Sequence, residues 1–354
     1  MIQSVVEVGD QILDLPDVPY AQLCGAFSQA SASLEPERLD VLVAGFRVRI
    51  RVIGRALAAT ILAPMAHLPA AAGGAPDLTI DVIHGEDTGY TPPETCLPTE
   101  GKYGILLKTS ADGRFVGEER RHTRSWLDRE QNRIVAWYQS EGLLNLDERA
   151  RPFHKLLSTW LEERGVQFLH AGLITVDERG LLFVGNGGAG KSTSSIACML
   201  SGMGYLGDDF VGFSGSSPHF QGHGIYGTCL LANHHIHRFP VLERISKPAN
   251  HAFEDKRIMY LRGEYGGGLG TRIGLSALLL PRVVDRAATR TRAASKGEAL
   301  MAIAPTSVMF LPRPSKAAFV RVSALVESLP TFWLELGRDV DAIPAAVSAL
   351  ARNL

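Results

Sequence analysis

The chain has 354 residues, 45% of them hydrophobic and 21% charged, with 36 Lys+Arg against 37 Asp+Glu and a formal net charge of -1. A chain of that composition and length can bury a large core without disulfide staples, and its size fits about two domains. The near-zero charge argues against a protein that blankets nucleic-acid phosphates, and no apolar run approaches the ~20 residues that cross a bilayer.

Met1 to Pro16 show neither a basic n-region nor an apolar core, so they do not read as a signal peptide. The cysteines Cys24, Cys96, Cys198 and Cys229 are scattered and form no CxxC pair. They read as free thiols of a reducing compartment, and the expected location is the cytoplasm. Residues 1–150 read as an N-terminal α+β domain. Short strands are expected at 39–43 and 48–52, a helix at 55–67, a Gly/Pro loop at 69–76 and a strand at 78–83. Further strands at 104–108, 114–117, 125–127 and 134–138 are separated by short turns. Antiparallel hairpins are the simplest arrangement there, because the connections are too short for crossovers. Phe153, Leu156, Leu157, Trp160 and Leu161 share one face of a helix, and a domain boundary is placed at 150. The first domain is assigned to acceptor selection or oligomerisation, and 151–354 to the catalytic domain.

Apolar strands at 167–176 and 180–184 follow, and the second runs into Gly185-Asn186-Gly187-Gly188-Ala189-Gly190-Lys191-Ser192, followed by Thr193. This is the pattern G-x-x-x-x-G-K-[ST]. The glycines let the backbone curl and aim its N–H groups at phosphate oxygens, and the following helix adds its positive end. Ile196, Met199, Leu200 and Met203 give that helix an apolar face. Residues Gly185 to Thr193 are the expected nucleotide-binding set. Lys191 reaches the β- and γ-phosphates, and the Ser192 hydroxyl ligates Mg2+. The next strand, at 205–207, ends in Asp208-Asp209. Neighbouring side chains on a strand point to opposite faces, so two like-placed carboxylates would need a bend there. Asp208 is read as the metal carboxylate and Asp209 as the base for the acceptor hydroxyl, an order the residues alone leave open. His170 opens the strand before the loop and matters only if the fold brings it beside the γ-phosphate.

His170-Ala-Gly-Leu-Ile, then Leu-Phe-Val-Gly-Asn-Gly-Gly-Ala-Gly-Lys-Ser-Thr, then Gly-Tyr-Leu-Gly-Asp208-Asp209 resemble, in that order, the HPr kinase/phosphorylase family over about residues 165–213. The resemblance implies an α/β fold with a P-loop kinase core related to phosphoenolpyruvate carboxykinase, using ATP and Mg2+ to phosphorylate a serine hydroxyl on a protein. It implies that the family's base and metal carboxylates fall on Asp208-Asp209, and its active-site histidine on His170. Downstream, Ile225-Tyr226-Gly227-Thr228 and Leu278 to Val283 look more like HPr kinase-related serine kinases. Some of those modify peptide natural-product precursors, including lasso peptides. The chain departs from the bifunctional enzymes in two places. Gln221 to Gly227 has no carboxylate where their signature has a Glu, and Thr193 stands where they carry Glu. The first departure argues against a phosphorylase reaction and against HPr as the acceptor.

Six histidines, His219, His223, His234, His235, His237 and His251, crowd one stretch without metal-site spacing, and read as surface or acceptor-site residues. A second cation is expected near the γ-phosphate; Lys256, Arg257 and Arg262 are candidates for it, with a solvated basic strand edge as the alternative reading. Arg282, Arg286, Arg290 and Arg292 read as a solvated basic stretch, and the glycine-rich 263–274 as a mobile loop near the site. Helices at 295–303, 315–325 and 343–354 and a strand at 331–336 are expected to pack around the sheet. The leading expectation is an ATP-dependent serine kinase whose partner is a peptide or protein bearing a hydroxyl. No nucleic acid and no membrane are expected, and a homo-oligomer is left open. The alternatives are a nucleotide-binding regulatory ATPase and a small-molecule kinase, for example one acting on free serine.

Overall fold

The computed structural model describes residues 8–13, 17–93, 106–251, 253–307 and 316–354. Cys96 and the first residues of the strand expected at 104–108 lie outside these. The fold is mixed α/β with several sheets. It divides into two compact units, one drawn from Met1–Trp160 with Ala249–Glu254, the other from Leu161–Pro248 with Asp255–Leu354. The division falls inside the helix His154–Glu162, later than the boundary placed at 150.

The first unit holds β1 (Val8–Leu13), β2 (Glu37–Val43), β3 (Phe46–Ile53), β4 (Leu78–His84), β5 (Leu106–Ser110), β6 (Phe115–Glu119), β7 (Thr123–Asp128) and β8 (Arg133–Tyr138). They form one sheet in the order β1-β5-β6-β7-β8-β4-β3-β2. Strands β5 to β8 are an antiparallel meander. That is the hairpin arrangement expected for these four strands; outside them, β4 is parallel to both β3 and β8, and β1 is parallel to β5. The helix Arg55–Ile61 and the turn Ala63–Met65 carry the chain from the end of β3 back to the start of β4. That connection is long enough for a crossover. A helix at Asp17–Ser31 was not foreseen, although Tyr20, Leu23 and Phe27 follow a helical period. They pack on Ile53, Ile83, Trp126, Val135 and Trp137.

The second unit holds β9 (Gln167–Leu169), β10 (Ala171–Val176), β11 (Arg179–Val184), β12 (Gly204–Gly207), β13 (Val211–Ser216), β14 (His219–His223), β15 (Thr228–Ala232), β16 (Ser246–Pro248), β17 (Lys256–Tyr260), β18 (Arg272–Val283), β19 (Arg290–Ala293) and β20 (Thr331–Leu336). The larger sheet runs β12-β10-β11-β18-β14-β13-β9, with β20 beside β18 and β19 beside β20; β15, β17 and β16 form a small sheet. Strand β18 is shared by two arms. Its first residues pair with β14, and later ones pair in parallel with β11 and β20. On β11, Leu181 and Phe183 join a core with the helices Lys191–Leu200 and Ala342–Ala351, while Leu182 and Val184 face a second core with Lys296–Ser307 and Lys316–Ser328. A strand covered on both faces reads as a continuous apolar run, which is what 181–184 shows.

Two breaks matter for the site. The strand expected over 167–176 is interrupted at His170, so that β9 belongs to one arm and β10 to the other. Likewise 208–210 is a bend between β12, on the arm of β10, and β13, on the arm of β9. The chain crosses between the arms twice, and the antiparallel register holds the crossings side by side. Leu169 faces Val211 on one side of the gap, and Leu173 faces Gly207 on the other. The glycine-rich 263–274 is not an open loop. It is made of the short helix Arg262–Tyr265, a tight turn at Gly266–Gly268 and the start of β18, and the Gly270 N–H donates to the Tyr205 carbonyl at 2.8 Å.

Candidate active site

The loop Gly185–Gly190 connects the end of β11 to the helix Lys191–Leu200, at the edge where the parallel strands β11, β18 and β20 end. Gly188 (φ 80) and Gly190 (φ 108) take backbone conformations that L side chains avoid. A Cβ on Gly190 would also collide with Leu336, the last residue of β20. The helix begins with no side-chain cap and no acidic residue in its first turn. Its leading N–H groups and positive end therefore suit an anion. Asn186, Gly187 and Gly188 form the exposed tip of the loop.

Lys191 folds back onto this loop. Its Nζ donates to the carbonyls of Gly185 at 2.8 Å and Asn186 at 3.2 Å. Burial lowers its pKa, and the Lys256 charge adds to that, while Asp209 and Asp208 oppose it. Ser192 is the second residue of the helix and Thr193 is buried in its first turn.

Asp208 is 3% exposed. Burial first, and then the charge of Asp209, push its carboxyl up to about 7; the hydroxyls of Tyr205 and Ser192 and the Lys256 charge pull the other way. Its Oδ2 is buried without a hydrogen-bond partner. An unsatisfied carboxylate oxygen beside the Ser192 hydroxyl is a hard oxygen donor set, and it fits Mg2+.

Asp209 sits at the crossing with its Oδ1 2.8 Å from His170 Nε2. The His170 ring stacks on Phe210 with centroids 5.1 Å apart, and its backbone N–H donates to Ser307 Oγ at 3.0 Å. The fold thus gathers the loop, Lys191 and Ser192 with Asp208 and Asp209, and it brings His170 onto Asp209. Of the three cations proposed from sequence, Lys256 is the one whose charge bears on both Lys191 and Asp208. Arg257 is taken up by Ser246, at 2.7 Å, and Arg262 is exposed on its short helix.

Other expectations are relocated. His234, His235 and His237 lie on the turn Asn233–Arg238, and among the described residues they form no metal-binding group of three. His223 is buried against Ser214 Oγ at 2.8 Å, and burial, then Arg272, lower its pKa to about 4. The basic stretch is not simply solvated. Arg282, Arg286 and Arg292 turn onto Glu335, and Arg282 and Arg292 also lie over the Trp333 ring. Sequence reasoning missed Tyr205, Phe210 and Ser307. Tyr205 and Phe210 flank the acidic pair and could have been singled out there. Ser307 is 137 residues from His170 and gives no local signal.

No family model matches the chain, and no curated protein matches it. Among solved structures, the Hpr(Ser) kinase/phosphatase from Coxiella burnetii is similar over 53% of this chain and 95% of that chain, at 13% identity and a TM-score of 0.28.

Proposed function

We propose that this protein is an ATP- and Mg2+-dependent phosphotransferase that moves the γ-phosphate to a serine-type hydroxyl of a peptide or protein. The observation that supports this reading most is the Asp209–His170 pair, at 2.8 Å, joined electrostatically through Asp209 to the loop lysine Lys191. The loop and the metal carboxylate suffice to hold a nucleotide, whereas moving its γ-phosphate also needs a group to receive the nucleophile's proton, and the test below separates a hydroxyl from water in that role.

In this mechanism the loop N–H groups and the helix end hold the triphosphate, and Lys191 exchanges the Gly185 and Asn186 carbonyls for β- and γ-phosphate oxygens. Ser192 and Asp208 would hold Mg2+, which when bound neutralises charge on the β- and γ-phosphates. His170 fixes the orientation of Asp209. Asp209 accepts the proton of the acceptor hydroxyl as its oxygen bonds to the γ-phosphorus and the bond to the bridging oxygen of ADP breaks. Lys256 adds positive charge where negative charge builds on the transferred group. The peptide or protein nature of the acceptor rests on the resemblance over 165–213 and belongs to the same proposal.

The test is incubation of the full chain with γ-labelled ATP, Mg2+ and a pool of hydroxyl-bearing peptides and proteins, read by mass spectrometry. The expected product is an acceptor carrying one added phosphate, absent with Lys191→Ala. Release of the label only as free phosphate would overturn the transferase in favour of the ATPase reading. Phosphorylation of free serine alone would overturn the peptide acceptor.

A further inference from the structure

The first unit carries a cluster that the phosphotransferase reading does not use. His84 ends β4, and its side chain is 3% exposed. Its Nδ1 lies 2.9 Å from Asp87 Oδ2, and its Nε2 lies 3.2 Å from Glu141 Oε2. Neither contact is aligned as a hydrogen bond. Both ring nitrogens and Glu141 Oε2 are buried without a hydrogen-bond partner. Buried polar atoms are ordinarily satisfied, and an imidazole with two unsatisfied nitrogens calls for another partner. Glu86 completes the group, since ligand atoms of His84, Glu86 and Glu141 all lie within 4.8 Å of one another.

The spacing suits a shared cation. Two ligand atoms each ~2.1 Å from one ion are about 3.0 Å apart at right angles and about 3.4 Å apart at the tetrahedral angle. The 3.2 Å between His84 Nε2 and Glu141 falls between these. The other ring nitrogen faces Asp87, as metal-bound histidines commonly face a carboxylate that fixes the ring. The backbone also makes room for this pair. Gly54 has φ +111, and a Cβ there would stand 2.5 Å from His84 Cβ and 2.9 Å from Asp87 Oδ2.

We propose that His84 Nε2, Glu86 and Glu141 bind a divalent transition-metal ion, with Asp87 orienting the His84 ring. One imidazole and two carboxylates favour a Zn2+-like ion over Mg2+ or Ca2+, which take oxygen ligands, and over ions that select thiolates. Such an ion ties the end of β4 and the turn Gly85–Thr88 to the turn Glu141–Leu143. This site is separate in its ligands from the Asp208–Ser192 set and stands whether or not the transferase reading holds.

The experiment is calorimetric titration of the chelator-stripped full chain with Zn2+, in a His234→Ala, His235→Ala, His237→Ala background that removes the clustered imidazoles. The expected result is one bound ion per chain, with affinity reduced at least about tenfold by Glu86→Gln and by Glu141→Gln. These two substitutions sit at the exposed side of the cluster and carry the decision, because His84→Ala changes a buried residue. Melting in the same background should rise with Zn2+, and rise less in either glutamate variant. No binding in the background chain, or an unchanged affinity in both glutamate variants, overturns the site.

Discussion

The carboxyl of Asp208, held up at about 7 by burial and by Asp209, makes the site sensitive to pH. Its folded-state pKa is raised, so its stabilising contribution is complete below pH ~4 and is lost as pH rises through about 7. Without added metal, Asp208→Asn should therefore stabilise the chain at pH 8, by up to about 4 kcal/mol, and change little at pH 4. Thermal melts at the two pH values check this. Mg2+ with nucleotide should bind the natural chain more tightly as pH rises through 7, and the Asn variant should lose that dependence. Asp209→Asn should lower the transfer rate by about 10²–10⁴-fold while leaving nucleotide affinity little changed. Full transfer in that variant would exclude Asp209 as the base. At this scale the sequence already named Lys191, Ser192, Asp208, Asp209 and His170. What it left open was where the fold places His170. The crossing of the arms sets it against Asp209, a contact that residues so distant in sequence do not announce.

At the scale of elements, the glycine loop separates two kinds of glycine. Gly190 combines φ 108 with the Leu336 side chain at its back, whereas a Cβ on Gly187 would meet nothing within 4 Å. Gly190→Ala should cost about 1–3 kcal/mol in denaturant unfolding and abolish nucleotide binding, while Gly187→Ala should cost less than about 1 kcal/mol. The strand-loop-helix segment was legible because its apolar run and glycine spacing are local. The break at His170 was not, because Phe168, Leu169, Ala171 and Leu173 are all buried and read as one strand. The parallel pairing of β3, β4 and β8 was hidden for another reason. Strand partners depend on where the crossover returns, and periodicity within a strand does not record that.

Over the whole molecule, the two units give separate readouts. Nucleotide with Mg2+ should slow amide exchange at 185–195 and 205–210 in the second unit. Zn2+ should do so at 84–88 and 139–143 in the first. Hydrogen exchange followed by mass spectrometry distinguishes these segments. If nucleotide protects neither loop nor acidic bend, the site assignment fails. None of the helices among the described residues is long and apolar enough to cross a membrane.

Some properties follow from the sequence alone because their causes are local. Composition gave a net charge of -1 and so no bulk positive charge. Glycine spacing and a flanking strand and helix marked the strand-loop-helix segment at 181–200, and the adjacent carboxylates marked the acidic bend, the two places on which the proposed function rests. The tertiary structure decided what depends on distance in space. It set His170 against Asp209 through two side-by-side crossings, and singled out Lys256 from three cations. It also drew Arg282, Arg286 and Arg292 onto Glu335, and brought Glu141 to His84 and Glu86. The contacts of His170 with Asp209, of the arginines with Glu335 and of His84 with Glu141 join residues far apart in sequence, which only sheet pairing and burial bring within a few ångströms.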